Sequence, residues 1–190
     1  MPYIEPSHCT IETIDATAFD FLDPRIEMLD LFGMARALSN QCRFAGHLHR
    51  FYSVAEHSVR GHDYILQRYG DEEMAHKFLF HDGSEYVLVD IPRPLKRFPG
   101  IKDAYYTLEA KVQDLVWEWR GLPPGMTEDL IWVDNLLLST EREYLRGRPI
   151  PELWGNIPDP LPQEEFAGAG WVPDEAFKQF LLRVELYAGR

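Results

Sequence analysis

The chain has 190 residues, 45% of them hydrophobic and 26% charged, the balance of a globular domain large enough to bury a real core. Thirty-one acids against nineteen bases give a formal net charge of −12, which argues against an extended nucleic acid as partner and leaves room for a small anion held by a few local cations. No apolar run approaches the roughly 18 residues of a membrane span, so no membrane partner is expected.

The N-terminus lacks the basic start and apolar stretch of a secretory leader. Cys9 and Cys42 are too few for a disulfide framework, and the expected compartment is the reducing cytoplasm. Residues 1–29 are expected to form an N-terminal arm; up to residue 25 the sequence is proline-containing and weakly periodic, with room for a short extended segment. Asp30 can cap a helix through about Leu38, with Leu31, Met34, Ala35 and Leu38 on one face. Ser53-Val54-Ala55-Glu56 has the spacing of a capping box, in which serine and glutamate satisfy free amides reciprocally; it opens a helix that runs to about Tyr69 and is closed by Gly70.

Asp71 caps the next helix, which turns Met74, Ala75, Phe78 and Leu79 inward and is expected to reach past Glu85. Pro92 and Pro94 then impose a loop. A long helix follows from about Lys102 to Arg120, with a stripe of Tyr105, Leu108, Val112, Leu115, Val116 and Trp119, ended by Gly121 and Pro123-Pro124. Thr127 caps another through Leu145. Residues 147–172, rich in Pro and Gly, read as a long surface excursion, and a last amphipathic helix starts near Pro173. The expected fold is all-α: a compact single-domain helical bundle with its core in 30–146 and with 147–190 packing on the same domain.

Polar residues on apolar stripes point to the chemistry. His57 falls on or beside the inward face of the helix opened by Ser53. Asp134 sits mid-helix with leucines a turn to either side, and a buried carboxylate there is costly unless a cation or metal pairs it. His81 and Asp82, adjacent on the Asp71 helix, can flank one point between helices. Two imidazoles and two carboxylates from three helices suit a divalent ion such as Mn²⁺, Co²⁺, Zn²⁺ or Mg²⁺. Glu85, one turn beyond, can reach the vicinity without occupying a ligand position.

Val54-Ala55-Glu56-His57-Ser58, His81-Asp82-Gly83-Ser84-Glu85, Asp90-Ile91-Pro92-Arg93-Pro94-Leu95-Lys96 and Asp134, in that order, resemble the HD-domain phosphohydrolases, and within them the 5′-deoxynucleotidase branch. The resemblance covers roughly residues 30–146. It implies an all-helical HD fold with a metal held by His57, His81, Asp82 and Asp134. It also implies that Glu85 positions or deprotonates the attacking water and that Asp90 assists at the leaving oxygen or ribose. Arg43 matches the family arginine that holds the substrate phosphate, a task suited to a forked guanidinium. Where the family has Arg-Trp this chain has Arg43-Phe44, a departure that bears on sugar and base discrimination rather than on hydrolysis.

Lys96, in the proline loop, is a candidate second phosphate contact. His47 and His49 lie close to Arg43 in sequence, and His47 is the stronger candidate to reach phosphate or water. No histidine follows His81, whereas HD proteins with two or more metals take extra histidines from that interval; one essential metal is therefore favoured over dioxygen chemistry.

The expected activity is metal-dependent hydrolysis of (deoxy)nucleoside 5′-monophosphates to nucleoside and phosphate. The alternatives are a triphosphohydrolase or pyrophosphatase acting on dNTPs, a non-catalytic nucleotide-binding module and, last, an oxygenase. The resemblance also implies a homo-oligomer, a dimer or larger.

Overall fold

Most of the longer helices begin at a residue whose side chain can accept otherwise free amides, and this decides where the chain turns. The computed structural model describes residues 9–147 and 157–188. Its regular elements are β1 (Thr10–Glu12), β2 (Ala18–Asp20), α1 (Leu31–Asn40), α2 (Val54–Tyr69), α3 (Glu72–Leu79), α4 (Glu85–Leu88), α5 (Arg93–Lys96), α6 (Lys102–Trp119), α7 (Glu128–Arg146) and α8 (Pro173–Glu185), with short 3-10 turns between some of them. The fold is all-α, with β1 and β2 forming a small antiparallel hairpin in the arm.

Asp30 caps α1 by accepting from the Gly33 amide. Ser53 does the same for the Glu56 amide on α2 at 3.0 Å, Asp71 for Met74 on α3 at 2.9 Å, and Thr127 for Leu130 on α7 at 3.3 Å. α2 and α7 end on Gly70 and Gly147, both left-handed, where glycine carries no Cβ penalty.

The core forms where the apolar faces meet. α8 packs against α1, α2 and α3, and α2 with α3 is the most extensive helix pair. Met34, Leu38, Val59, Leu79, Phe80, Val112, Val116 and Phe180 are fully buried in one cluster, each such side chain contributing about 1.5–3 kcal/mol. A second cluster joins Ile65 and Phe78 to Leu130, Val133, Leu136 and Leu137 of α7. Gly61 matters here because the Phe78 ring packs directly on it: a Cβ at this position would collide with Phe78 Cε1, Cδ1 and Cζ. That close approach sets the separation of α2 from α3, the elements that carry or lead into the two histidines. No helix among the described residues is long and apolar enough to cross a membrane.

Four local expectations are corrected. The Asp71 helix does not reach Glu85; it stops at Leu79, and Phe80–Ser84 form tight turns before α4 begins. Gly83 is pressed against α6, where a Cβ would meet Val116 Cγ1 at 2.7 Å and the Phe80 carbonyl at 3.0 Å. The chain therefore bends onto α6 instead of continuing straight. Residues 93–96 are a short helix rather than loop, because proline is tolerated in a first turn that has no amide to lose.

The capping box at Ser53 is only half formed. The Glu56 carboxylate accepts instead from the Gly170 and Trp171 amides (3.0 and 2.8 Å) and from Arg60 Nε (2.9 Å). Two amides from a distant loop and an arginine one turn along α2 outcompete the Ser53 amide. The 147–172 excursion is accordingly not all surface: Leu161, Phe166 and Ala169 are buried, the last two against Tyr52 and Leu145. Residues 148–156, including Trp154, lie outside the described residues, as do 1–8 of the arm.

Gly61→Ala is expected to lower stability by about 1–3 kcal/mol through overpacking. Pairing it with Phe78→Leu should recover part of the loss, so thermal unfolding of both single variants and the double variant measures the coupling.

Candidate metal centre

His57 is fully buried on α2, so both of its ring nitrogens need partners. Nδ1 lies 2.6 Å from Glu141 Oε1 on α7. Glu141 also accepts from Arg43, so it is ionised and the proton of the pair belongs on His57 Nδ1. His81, in the turn after α3, places Nδ1 2.7 Å from the Phe78 carbonyl, which also can only accept. When neutral, as a metal ligand must be, each ring therefore presents a bare Nε2, and these two atoms are 3.3 Å apart. Lone pairs facing each other at that distance call for a cation.

The carboxylates complete the arrangement. Asp82 Oδ2 is 3.2 Å from His81 Nε2 and 3.8 Å from His57 Nε2. Asp134 Oδ1, from α7, is 3.3 Å from His57 Nε2 and 3.9 Å from His81 Nε2. Bonds of about 2.1 Å to one ion would separate neighbouring ligand atoms by about 3.0 Å at octahedral and about 3.4 Å at tetrahedral angles. The 3.2 and 3.3 Å spacings fall between those edges, and the 3.8 and 3.9 Å spacings exceed them. His57, His81 and Asp82 form a group that could hold a metal ion, and the mixed nitrogen and oxygen donors suit a borderline or harder divalent cation.

The charges around the group shift the proton affinities of its members. Burial and Arg43 push His57 down, but Glu141 and Asp134 outweigh them and raise it to about 9. Burial would raise Asp82, yet His81, His57 and Arg43 hold it well below the usual carboxylate range. Asp134 is lowered to about 2, burial again being overcome by His57 and His81.

Around this group stands a ring of charges. Arg43, 8% exposed, donates from Nε to Glu141 Oε2 at 3.0 Å and from Nη1 to Asp82 Oδ2 at 3.4 Å. Burial disfavours its charge, and four surrounding carboxylates restore it. Arg93 Nη2 lies 3.3 Å from Asp134 Oδ2 and draws that oxygen outward, while Oδ1 faces His57. Glu85 is 5% exposed; its Oε1 is 3.6 Å from Lys96 Nζ, and its buried Oε2 has no hydrogen-bond partner among the described residues. Burial, then Asp82 and Asp90, raise Glu85 well above the ordinary carboxyl range against Lys96 and Arg43. Asp90 is also raised, by burial above all, with Arg43 opposing.

The chain is 38% identical over 150 residues to the Escherichia coli (strain K12) protein YfdR, described as uncharacterized, with 79% of each chain covered. This chain belongs to the YfdR family. No family model matches it.

In this member of the family the structure brings together His57, His81, Asp82, Asp134, Arg43, Glu85 and Lys96, and sets Asp90 within electrostatic reach of Arg43. Phe44 stands beside them, its ring centre 5.9 Å from the Arg43 guanidinium and 6.0 Å from that of Arg146. Phe44 and Ala45 are both left-handed (φ 57° and 50°), which turns the chain sharply just after Arg43. His47 is exposed, and its amide closes that turn by donating to the Phe44 carbonyl at 3.0 Å. The His49 ring lies 3.2 Å from the Arg146 carbonyl at the end of α7, away from the histidine pair.

Sequence reasoning leaves out Glu141, Glu109, Arg93 and Gln41 as site residues. For Glu141 a signal exists: it stands seven residues beyond Asp134, on the same leucine stripe of α7. Glu109, which hydrogen-bonds Lys96 from α6, gives no such sign, because that pairing depends on how α5 meets α6.

Glu141→Gln should weaken metal binding by about 10–100-fold, as loss of a histidine-orienting carboxylate typically does; metal titration by calorimetry reads this directly. The pH dependence carries a definite sign. Because His57 is raised from 6.5 to about 9, its contribution to the metal-free protein is complete below pH 6.5 and is lost as pH rises through about 9. Thermal unfolding in chelator should show that decline, and saturating metal should flatten it.

Proposed function

We propose that this protein is a divalent-metal-dependent phosphohydrolase that releases phosphate from (deoxy)nucleoside 5′-monophosphates. The observation that carries the reading is Glu85, a buried carboxylate next to the histidine–aspartate group with one oxygen that has no partner among the described residues. Such an atom is costly to keep buried unless something in the working state uses it. In this reading His57, His81, Asp82 and Asp134 hold the ion. When bound, a divalent cation polarises the phosphoryl group and lowers the pKa of water.

The chain's own groups account for the remaining steps. Arg43 spends Nε and Nη1 on Glu141 and Asp82, which leaves Nη2 for a phosphate oxygen. Lys96 adds a second positive charge beside Glu85. Glu85 takes a proton from the water whose oxygen attacks phosphorus. Its raised proton affinity suits an acceptor that must hold the proton and then give it up. As the P–O5′ bond breaks, its electron pair moves to the leaving oxygen, which is neutralised by a proton from Asp90 or Glu85. Asp90, raised by burial, suits that donation. Phe44 offers a flat face to the sugar or base next to the phosphate clamp.

A panel of dNMPs, NMPs and dNTPs crossed with Mn²⁺, Co²⁺, Zn²⁺ and Mg²⁺, with the products identified, tests the reading. Orthophosphate from dNMPs is the expected outcome. Tripolyphosphate or pyrophosphate from dNTPs would move the activity to triphosphates, and no cleavage of either class would sink it. Glu85→Gln should lower kcat by about 10²–10⁴-fold if Glu85 transfers the proton, with metal affinity little changed.

A further inference from the structure

The turn that bears Glu85 and Asp90 adopts a backbone that its own residues disfavour. After the single turn of α4, Val89 sits at φ 61°, ψ 156°. This region of backbone space belongs almost entirely to glycine, and a β-branched residue there is an outlier that surrounding structure must enforce. Val89 itself is 53% exposed, so packing of its side chain is not what enforces it. The restraint comes from outside the turn.

Gln41, just past the C-terminus of α1, provides that restraint. Its Nε2 donates to the Glu85 carbonyl at 2.8 Å, and its Oε1 accepts from the Asp90 amide at 3.1 Å. The partners dictate the orientation of the side-chain amide, because a carbonyl needs a donor and an N–H needs an acceptor. One planar group thus spans the two ends of the turn. Gln41 is itself anchored, since its backbone carbonyl accepts from the Val54 amide at the start of α2 at 3.1 Å. From the other side, the Tyr105 hydroxyl of α6 donates to the Val89 carbonyl at 3.3 Å. Two residues beyond Gln41 stands Arg43, so one short segment carries both the guanidinium and the brace for the two acids.

We infer that Gln41 is a positioning residue: its side-chain amide ties Glu85 to Asp90 and so sets where both carboxylates stand relative to the His57–His81–Asp82 group. The consequence for turnover rests on the hydrolase reading, whereas the tie itself does not. Loss of a brace of this kind displaces reacting groups without removing any of them. Its mark is therefore a fall in kcat with substrate and metal binding retained.

Two readouts on Gln41→Ala and Gln41→Glu test this, with unfolding curves to confirm that both variants fold. In Gln41→Ala, amide exchange at Asp90, followed by nitrogen-resolved NMR, should accelerate by about tenfold or more as its acceptor disappears. With dNMPs and Mn²⁺, kcat should fall by about 10–100-fold while KM and Mn²⁺ affinity change by no more than about twofold. Gln41→Glu keeps an acceptor for Asp90 but loses the donor to Glu85, so Asp90 should stay protected while kcat still falls. Unchanged Asp90 exchange in Gln41→Ala would overturn the tie. Lowered thermal stability with unchanged kcat would overturn the positioning role. A wild-type protein inactive on every nucleotide would remove the hydrolase reading, and the exchange measurement would still decide the tie.

Discussion

The arrangement of this protein depends on one fully buried carboxylate. Glu141 receives His57 Nδ1 on one oxygen and Arg43 Nε on the other. Unpaired, it would cost several kcal/mol; paired with two donors, it is held below its ordinary carboxyl range despite burial. Because the carboxylate accepts a hydrogen bond from Nδ1–H, Nε2 of His57 is left to face His81. Because it also grips Arg43, the guanidinium stays beside Asp82 rather than turning to solvent. A histidine tautomer and the position of a cation are thus both set from α7.

The same logic recurs further out. Glu56, the residue before His57, gathers two loop amides and Arg60, and thereby fastens residues 170–171 to the start of α2. The Arg60 guanidinium lies within about 5 Å of the ring centres of both Phe166 and Trp171, which closes that side of the bundle. The described residues after α7 therefore bear on the candidate metal centre through α2, and none of them belongs to the His57–His81–Asp82 group. Stability and site geometry share these contacts, because the helix that carries His57 is held in place by buried charges as well as by apolar packing.

Backbone strain collects around the same place. Of the four described non-glycine residues with positive φ, Phe44 adjoins Arg43 and Val89 adjoins Asp90, Ala45 follows Phe44, and the fourth, Ala16, lies apart in the hairpin between β1 and β2. Strain of this kind persists only where neighbouring structure over-determines it. Gln41 and Tyr105 account for it at Val89. At Phe44 the turn closed by the His47 amide does so.

Much of the helical framework was legible in the residues themselves. Asp30, Ser53, Asp71 and Thr127 announce helix starts through local hydrogen bonding, and Gly70 announces an end, because caps act over three or four residues. The helical period put His57, Asp134 and Glu141 on inward stripes for the same reason. Distance-dependent features were not legible. That the Glu56 carboxylate leaves its own helix start for Gly170 and Trp171, that Lys96 finds Glu109, and that Gln41 bridges Glu85 and Asp90 all depend on segments far apart in the chain. The bend at Phe80–Ser84 belongs with them, since it arises where Gly83 meets Val116 of α6. The sequence alone determined the residue types, the caps and the faces, because those are local. Tertiary structure decided which nitrogen of each histidine is free and which carboxylate is left without a partner, because each depends on what the rest of the fold brings to that point.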